Sequence, residues 1–422
     1  MSTRFILYVF VLILMPISFS FNSSDENFNE IYNLTTEKNF FLADSLFRDK
    51  KSKMGEIHQR ILQVQIDNAF NKNRKSLDNI SYLLKTKADL PDSLVINLYR
   101  TKMDNELKLF KYKSAMKTLD VFLKDYADHL SEVELEDLKN SQKIYSALQN
   151  VPAQTIHKNK DLSIQMVKDI AGLNNLPVYT AKDSTNFIFD TGANLSVISE
   201  TTSQKLGVKM LPDSNIDVDA LTGGSVKAQL GWISKLHIEH ITLNNVVFLV
   251  FKDVDLAFPS INYQINGILG YPVIEALGEI HLGKDGSLKV PHKLSPCSNG
   301  RNLALDELTP LVQIDKLLYT FDTGASNTML YSEYYYKNKE YIDKNYVEET
   351  IQLGGAGGTI NYQGYNISHT IDDFNRKITL KATVLKDKEQ KYKYIIGNLG
   401  QDYLGQFDTI ILNFKSMCIQ LK

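Results

Sequence analysis

The five residues Phe189-Asp190-Thr191-Gly192-Ala193 return letter for letter as Phe321-Asp322-Thr323-Gly324-Ala325. Each copy follows an apolar run (Phe187-Ile188 in the first, Leu318-Tyr319 in the second) and precedes a β-prone one, residues 195–198 and 328–330. That pattern predicts strand, tight loop, strand. The Asp is held on the loop, and the Gly admits a backbone shape closed to larger residues. A lone Asp-Thr-Gly is an ordinary turn word and carries little. Two copies in matching strand contexts constrain the chain far more.

The repeat extends beyond the motif. The two Asp are 322 − 190 = 132 residues apart, and later landmarks keep nearly the same step. Gly267-Ile268-Leu269-Gly270 answers to Gly397-Asn398-Leu399-Gly400 at an offset of 130, and Ile280 and Leu282 answer to Ile410 and Leu412. Upstream, Leu176-Pro177-Val178 has its counterpart within residues 308–311. A whole module is duplicated.

On these residues the sequence resembles the retropepsin-like and pepsin-like aspartic peptidases. In that family each lobe contributes one Asp-Thr-Gly loop, and an apolar-apolar-Gly segment later in the lobe packs against it. Ile268-Leu269-Gly270 fills that place in the first lobe. In the second, either Ile395-Ile396-Gly397 or the register ending in Leu399-Gly400 fits. The retroviral branch is the closer one, because Ala193 and Ala325 stand where pepsins carry Ser. The stretch Gly354-Gly355-Ala356-Gly357-Gly358 also looks like a retroviral flap tip, with Thr222-Gly223-Gly224 as a shorter tip in the first lobe. The resemblance covers roughly residues 155–422.

The resemblance implies a catalytic pair, Asp190 and Asp322. Thr191 and Thr323 would cross-bond the facing loops, Gly192 and Gly324 would permit the turns, and Gly223, Gly224, Gly354, Gly355, Gly357 and Gly358 would form the flaps. Two carboxylates a hydrogen bond apart cannot both ionise, so the pair shares one proton, as aspartic proteases exemplify. The ionised partner activates a water and the protonated one polarises a peptide carbonyl. Neither metal nor cofactor is called for, and no His-Glu-x-x-His or paired-Cys spacing offers a zinc site. The expected activity is that of a secreted aspartic endopeptidase acting on a peptide or protein. The alternative is a non-catalytic peptide-binding or scaffold protein using the same cleft or the preceding domain. Both halves lie on one chain, so a monomer is expected to suffice.

The remaining segments read differently. Residues 1–20 have a short apolar run ended by Pro16 and small residues after it, the pattern of a secretory signal, so the mature chain is expected to be secreted or periplasmic. Across residues 26–149 the only glycine is Gly55, and apolar residues recur at helical spacing (Ile57, Ile61, Val64; Leu77, Ile80, Leu84; Leu94, Leu98). Pro91-Asp92 and Ser131 read as helix starts, and residues 111–126 faintly resemble the second helix of a tetratricopeptide unit. Four to seven helices packed as hairpins are expected there, offering a surface for a protein partner. After residue 151 the pattern turns to short strands with frequent turn signals.

The fold class is therefore α+β multidomain: an all-α helical-hairpin domain followed by an all-β bilobal aspartic-peptidase fold. The expected boundaries are residues 1–20 for the signal, 21–150 for the helices, 151–291 for the first lobe, 292–302 for the linker and 303–422 for the second lobe. A net charge of −2 argues against a nucleic-acid partner, which needs a basic face. Cys297 and Cys418 are expected to be two free thiols, since the 130 offset sets Cys418 opposite Leu288, a strand-core position. A bond tying the linker to the last strand is the other reading.

Overall fold

The computed structural model describes residues 23–86, 90–219, 225–297, 300–355, 358–373, 376–386 and 392–422. The signal-like residues 1–20 lie outside them. No helix among the described residues is long and apolar enough to cross a membrane.

Seven α-helices stand among the described residues before the first strand. They are α1 (Ser23–Thr36), α2 (Phe40–Lys50), α3 (Glu56–Ala69), α4 (Asn73–Lys85), α5 (Asp92–Lys108), α6 (Tyr112–Tyr126) and α7 (Glu132–Leu148). Their starts follow local chemistry. Ser131 and Glu134 form a reciprocal capping box on α7, and Gly55 precedes α3. Their ends do not follow the usual glycine rule. The turns α1/α2, α3/α4 and α5/α6 pass through the left-handed region at Lys38, Asn71 and Phe110, with φ of 61°, 56° and 55°. Each turn is closed by the same bond from three residues past the helix end: Asn39 N–H to Leu34 O (2.8 Å), Lys72 to Asp67 O (2.7 Å) and Lys111 to Glu106 O (2.7 Å). The periodic apolar residues Ile61, Val64, Ile80 and Leu98 are buried.

The helices clasp both lobes of the β body. Lys38 pairs with Asp306 at 2.8 Å, Asp44 with Arg301 at 2.8 Å, and Asn71 donates to Glu275 at 2.8 Å. Asn140 exchanges two bonds with the backbone of Asp217, at 2.9 and 3.2 Å. The apolar core runs on without a break from Phe28, Phe47 and Phe70 into Leu303, Leu305 and Met417.

Among the described residues, the first lobe is built on a ten-stranded sheet and the second on an eight-stranded one. A five-stranded sheet, to which both halves contribute, joins them. At its centre Glu279–Gly283 runs antiparallel to Thr409–Asn413, pairing Ile280 with Leu412, His281 with Ile411 and Leu282 with Ile410. A pseudo-twofold axis thus passes by His281 and Ile411, and 411 − 281 = 130, the offset read from the sequence.

One expectation fails here: Cys297 and Cys418 are bonded, with Cα atoms 6.4 Å apart, closing a separation of 121 residues. Cys418 is indeed fully buried. However, Leu288 pairs with Leu282 while Ile419 pairs with Leu412, so Ile419 is the true counterpart of Leu288. The one-residue slip frees Cys418 to meet the linker that crosses the last strand. A cross-link closing so long a loop restricts the unfolded chain strongly, by about 2–4 kcal/mol in typical cases. Replacing both cysteines by Ser should lower the denaturant midpoint accordingly, and chemical reduction of the wild type should reproduce that shift. Identical midpoints before and after reduction would contradict the linkage.

Candidate active site

Each Asp-Thr-Gly loop joins two strands that a third strand splits. In the first lobe Gly267–Leu269 lies parallel to Ser184–Phe189, pairing Ile268 with Ile188, and antiparallel to Ser196–Ser199, pairing Ile268 with Val197. In the second, Ile395–Leu399 slots between Leu317–Phe321 and Met329–Leu330, pairing Asn398 with Thr320 and with Met329. This settles the register that the sequence left open. Asn398-Leu399-Gly400 takes the place of Ile268-Leu269-Gly270, and Ile395-Ile396-Gly397 lies three residues too early. Gly270 and Gly400 sit so close beneath the loops that a Cβ would strike the backbone at Leu195 (2.6 Å) and Asn327 (2.7 Å) respectively.

The two loops hold each other by four cross-lobe hydrogen bonds. Thr191 Oγ1 donates to Phe321 O (2.9 Å) and accepts from Thr323 N–H (3.1 Å). Thr323 Oγ1 donates to Phe189 O (2.7 Å) and accepts from Thr191 N–H (3.0 Å). Both threonines are buried. The carboxylates are then delivered face to face, each lying over the other loop's glycine. A Cβ on Gly192 would collide with Asp322 Cγ, and one on Gly324 with Asp190 Cγ. Gly192 N–H donates to Asp190 Oδ1 and Gly324 N–H to Asp322 Oδ1, each at 2.8 Å.

The electrostatics of the pair follow from this closeness. Desolvation pushes the Asp190 carboxyl well above the ordinary carboxylate range, and the charge of Asp322, to which it is hydrogen-bonded, pushes it further. The amides of Gly192 and Ala193 act the other way and lose. One proton therefore stays on the pair at a pH where free carboxylates are ionised.

Two residues near the pair escaped the sequence reading. Asn398 Nδ2 donates to Asp322 Oδ2 at 3.1 Å, and Thr320 Oγ1 donates to Asn398 Oδ1 at 2.6 Å. Their counterparts in the first lobe, Ile268 and Ile188, are apolar. The signal was present in the duplication, where a polar Asn stands opposite an Ile, but only the strand pairing shows that it reaches the carboxylate.

Of the expected flap residues, Gly354, Gly355 and Gly358 lie on the hairpin of Glu348–Gly355 and Gly358–Asp373, with Gly355 paired to Gly358. Gly354 faces the first lobe, its Cβ position 3.4 Å from the Phe258 ring, so this hairpin reaches across the cleft. Gly357, Gly223 and Gly224 lie outside the described residues.

Residues 176–273 match the family model described as aspartyl protease. The match holds the first Asp loop and the strand of Gly267–Leu269, and ends before the second loop. A solved retropepsin-like aspartic protease from Rickettsia conorii is similar to the chain at 17% identity, over 32% of this chain and 93% of that one, with a TM-score of 0.22. No curated protein matches the chain. The matched lobe, its duplicate and the mutual closure of their loops lead to one conclusion: the first lobe of the β body is similar to the aspartyl proteases over residues 176–273, the second lobe repeats its loop and strand pairing, and a helical domain stands ahead of both.

Proposed function

We propose that this protein is a secreted aspartic endopeptidase that works as a single chain. The observation that carries the reading is the pair of Asp-Thr-Gly loops, cross-bonded through Thr191 and Thr323 so that Asp190 and Asp322 share a proton. A water held between the carboxylates gives a proton to the ionised one while its oxygen bonds to the scissile carbonyl carbon. The carbonyl oxygen takes the proton of the other carboxyl, leaving a gem-diol. The C–N bond then breaks as the nitrogen is protonated, and one hydroxyl returns its proton to the pair. Amide and water become acid and amine, with no acyl-enzyme.

The hairpin tip at Gly354 suits a cover over an extended peptide, since its backbone approaches a substrate without side chains in the way. The helical domain bonds to the lobes at Asp217, Glu275, Arg301 and Asp306, and its Tyr112, Ile144 and Tyr145 line a cavity with Asn194, Leu195 and Ser196, just after the first Asp loop. It fits a role in holding the lobes together and presenting a surface to a protein partner. The cross-link between Cys297 and Cys418 suits an oxidising, extracytoplasmic compartment.

The test is incubation of the mature chain with a diverse peptide library, cleavage being read by mass spectrometry with and without a pepstatin-type inhibitor. Inhibitor-sensitive cleavage is expected. Binding of the inhibitor without any cleavage would favour a peptide-binding protein instead.

The pH profile has a defined sign. Because Asp190 keeps its proton above the usual carboxylate range, the singly protonated pair persists as pH rises, and activity falls only once that proton leaves. A bell with its maximum at mildly acidic to near-neutral pH is expected on any cleaved peptide. A maximum near pH 2 would refute it.

A further inference from the structure

The two halves of the site are not equivalent, and the difference lies beside one carboxylate. Asp322 has a donor on each oxygen, Gly324 N–H on Oδ1 (2.8 Å) and Asn398 Nδ2 on Oδ2 (3.1 Å). Asp190 is served by the amides of Gly192 and Ala193, and in the place matching Asn398 it has Ile268, paired to Ile188. The Asn398 amide is held between Thr320 and Asp322. Its Oδ1 accepts from Thr320 Oγ1 at 2.6 Å, which leaves the NH₂ facing Asp322, and the side chain is buried at 6% exposure. Tyr331, hydrogen-bonded to Thr320, extends this polar wall. The second lobe thus presents Thr320, Asn398 and Tyr331 where the first presents Ile188, Ile268 and Ser199.

We propose that Asn398, oriented by Thr320, is a positioning residue that fixes the direction of proton traffic: Asp322 is the ionised base and Asp190 the protonated acid. A hydrogen bond donated to a carboxylate favours its charged form, and a charge-assisted bond in a buried setting is among the stronger ones. An apolar neighbour gives no such help, so the shared proton rests on Asp190. Among the described residues, Tyr331 is the titratable group beside the two Asp, its phenol lying in the field of Asp322.

The assignment rests on the aspartic-peptidase reading and makes each step explicit. Asp322 takes a proton from the water whose oxygen bonds to the carbonyl carbon, while Asp190 gives its proton to the carbonyl oxygen. In the collapse, the proton on Asp322 passes to the departing nitrogen as the C–N bond breaks. One gem-diol hydroxyl returns a proton to Asp190. The starting state, Asp322 ionised and Asp190 protonated, is restored without any outside acid or base.

The experiment is a site-resolved titration by NMR of protein labelled with ¹³C at Asp Cγ, on the full chain without substrate. Asp190→Asn and Asp322→Asn assign the two signals. In the wild type, Asp322 is expected to ionise at a pH lower than Asp190 by about one unit or more, a tenfold difference in proton affinity. Asn398→Ile with Thr320→Ile copies the first-lobe pattern and should raise the first ionisation by a similar amount. In that background, Ile268→Asn with Ile188→Thr should reverse the order. A purely structural Asn398 would lower the melting temperature and leave the titration in place.

Earlier ionisation of Asp190 in the wild type overturns the proposal even if the Asn398 and Ile268 variants fail to fold. So does an unmoved first ionisation in the folded double variant. The titration needs no turnover, so an ordered pair that cleaves no peptide would remove the peptidase reading and leave the assignment of Asp322 standing.

Discussion

Asp190→Asn and Asp322→Asn will each abolish peptide cleavage, by at least about a thousandfold, while the protein remains folded. The size follows from what is lost. General acid–base transfer contributes roughly 10²–10⁴ in rate, and either change removes the shared-proton pair outright. Folding should survive because Asn is isosteric with Asp and the amides of Gly192 and Gly324 still find an oxygen to bond. For Asp190 the sign can be worked further. Its carboxyl holds a proton more tightly when folded, so it favours folding at low pH. That contribution is lost as pH rises through the raised value. Asp190→Asn should therefore be as stable as the wild type at neutral pH, or more so. Kinetics on one library-derived peptide, paired with denaturant unfolding at pH 7, check both halves. Residual activity within tenfold of wild type in either variant would remove the mechanism.

The second large effect is expected at the threonines that lock the loops. Thr323→Val keeps the shape but leaves Thr191 N–H and Phe189 C=O without their partners, and Thr191→Val does the same to Thr323 N–H and Phe321 C=O. These groups lie in the buried seam between the lobes, where each orphaned one costs about 1–3 kcal/mol. Each variant should lose about 2–5 kcal/mol of stability in urea. Each should also lose about a hundredfold in kcat/KM, the effect of misplacing reacting groups by a fraction of an ångström to an ångström. The double variant should cost less than the sum, because one break already lets the loops drift apart. A change below about 0.5 kcal/mol would mean that the four bonds do not hold the pair.

Much of this molecule was legible because its duplication repeats local chemistry. The Phe-Asp-Thr-Gly-Ala loops, the glycines at 270 and 400, and Ile280, Leu282, Ile410 and Leu412 each keep their strand context in both copies. Helix starts were legible for a similar reason, since Ser131 with Glu134 carries its own bonding pattern. Helix ends were harder to read. Lys38, Asn71 and Phe110 occupy left-handed positions that glycine usually marks, and only Asn71 is a residue type that favours one.

The sequence by itself determined the duplicated β module and the helical character of the first domain, which follow from a repeated motif and from periodicity, while the two lobes with Asp190 and Asp322 paired were what the resemblance carried by those motifs implied. Tertiary structure alone decided which strand register packs beneath the second loop, that Cys418 meets Cys297, and that Asn398 reaches Asp322 where Ile268 cannot. These depend on which strands become neighbours and on one-residue slips between them. An offset along the chain is blind to such a slip, because shifting a strand by one residue turns every side chain to the opposite face.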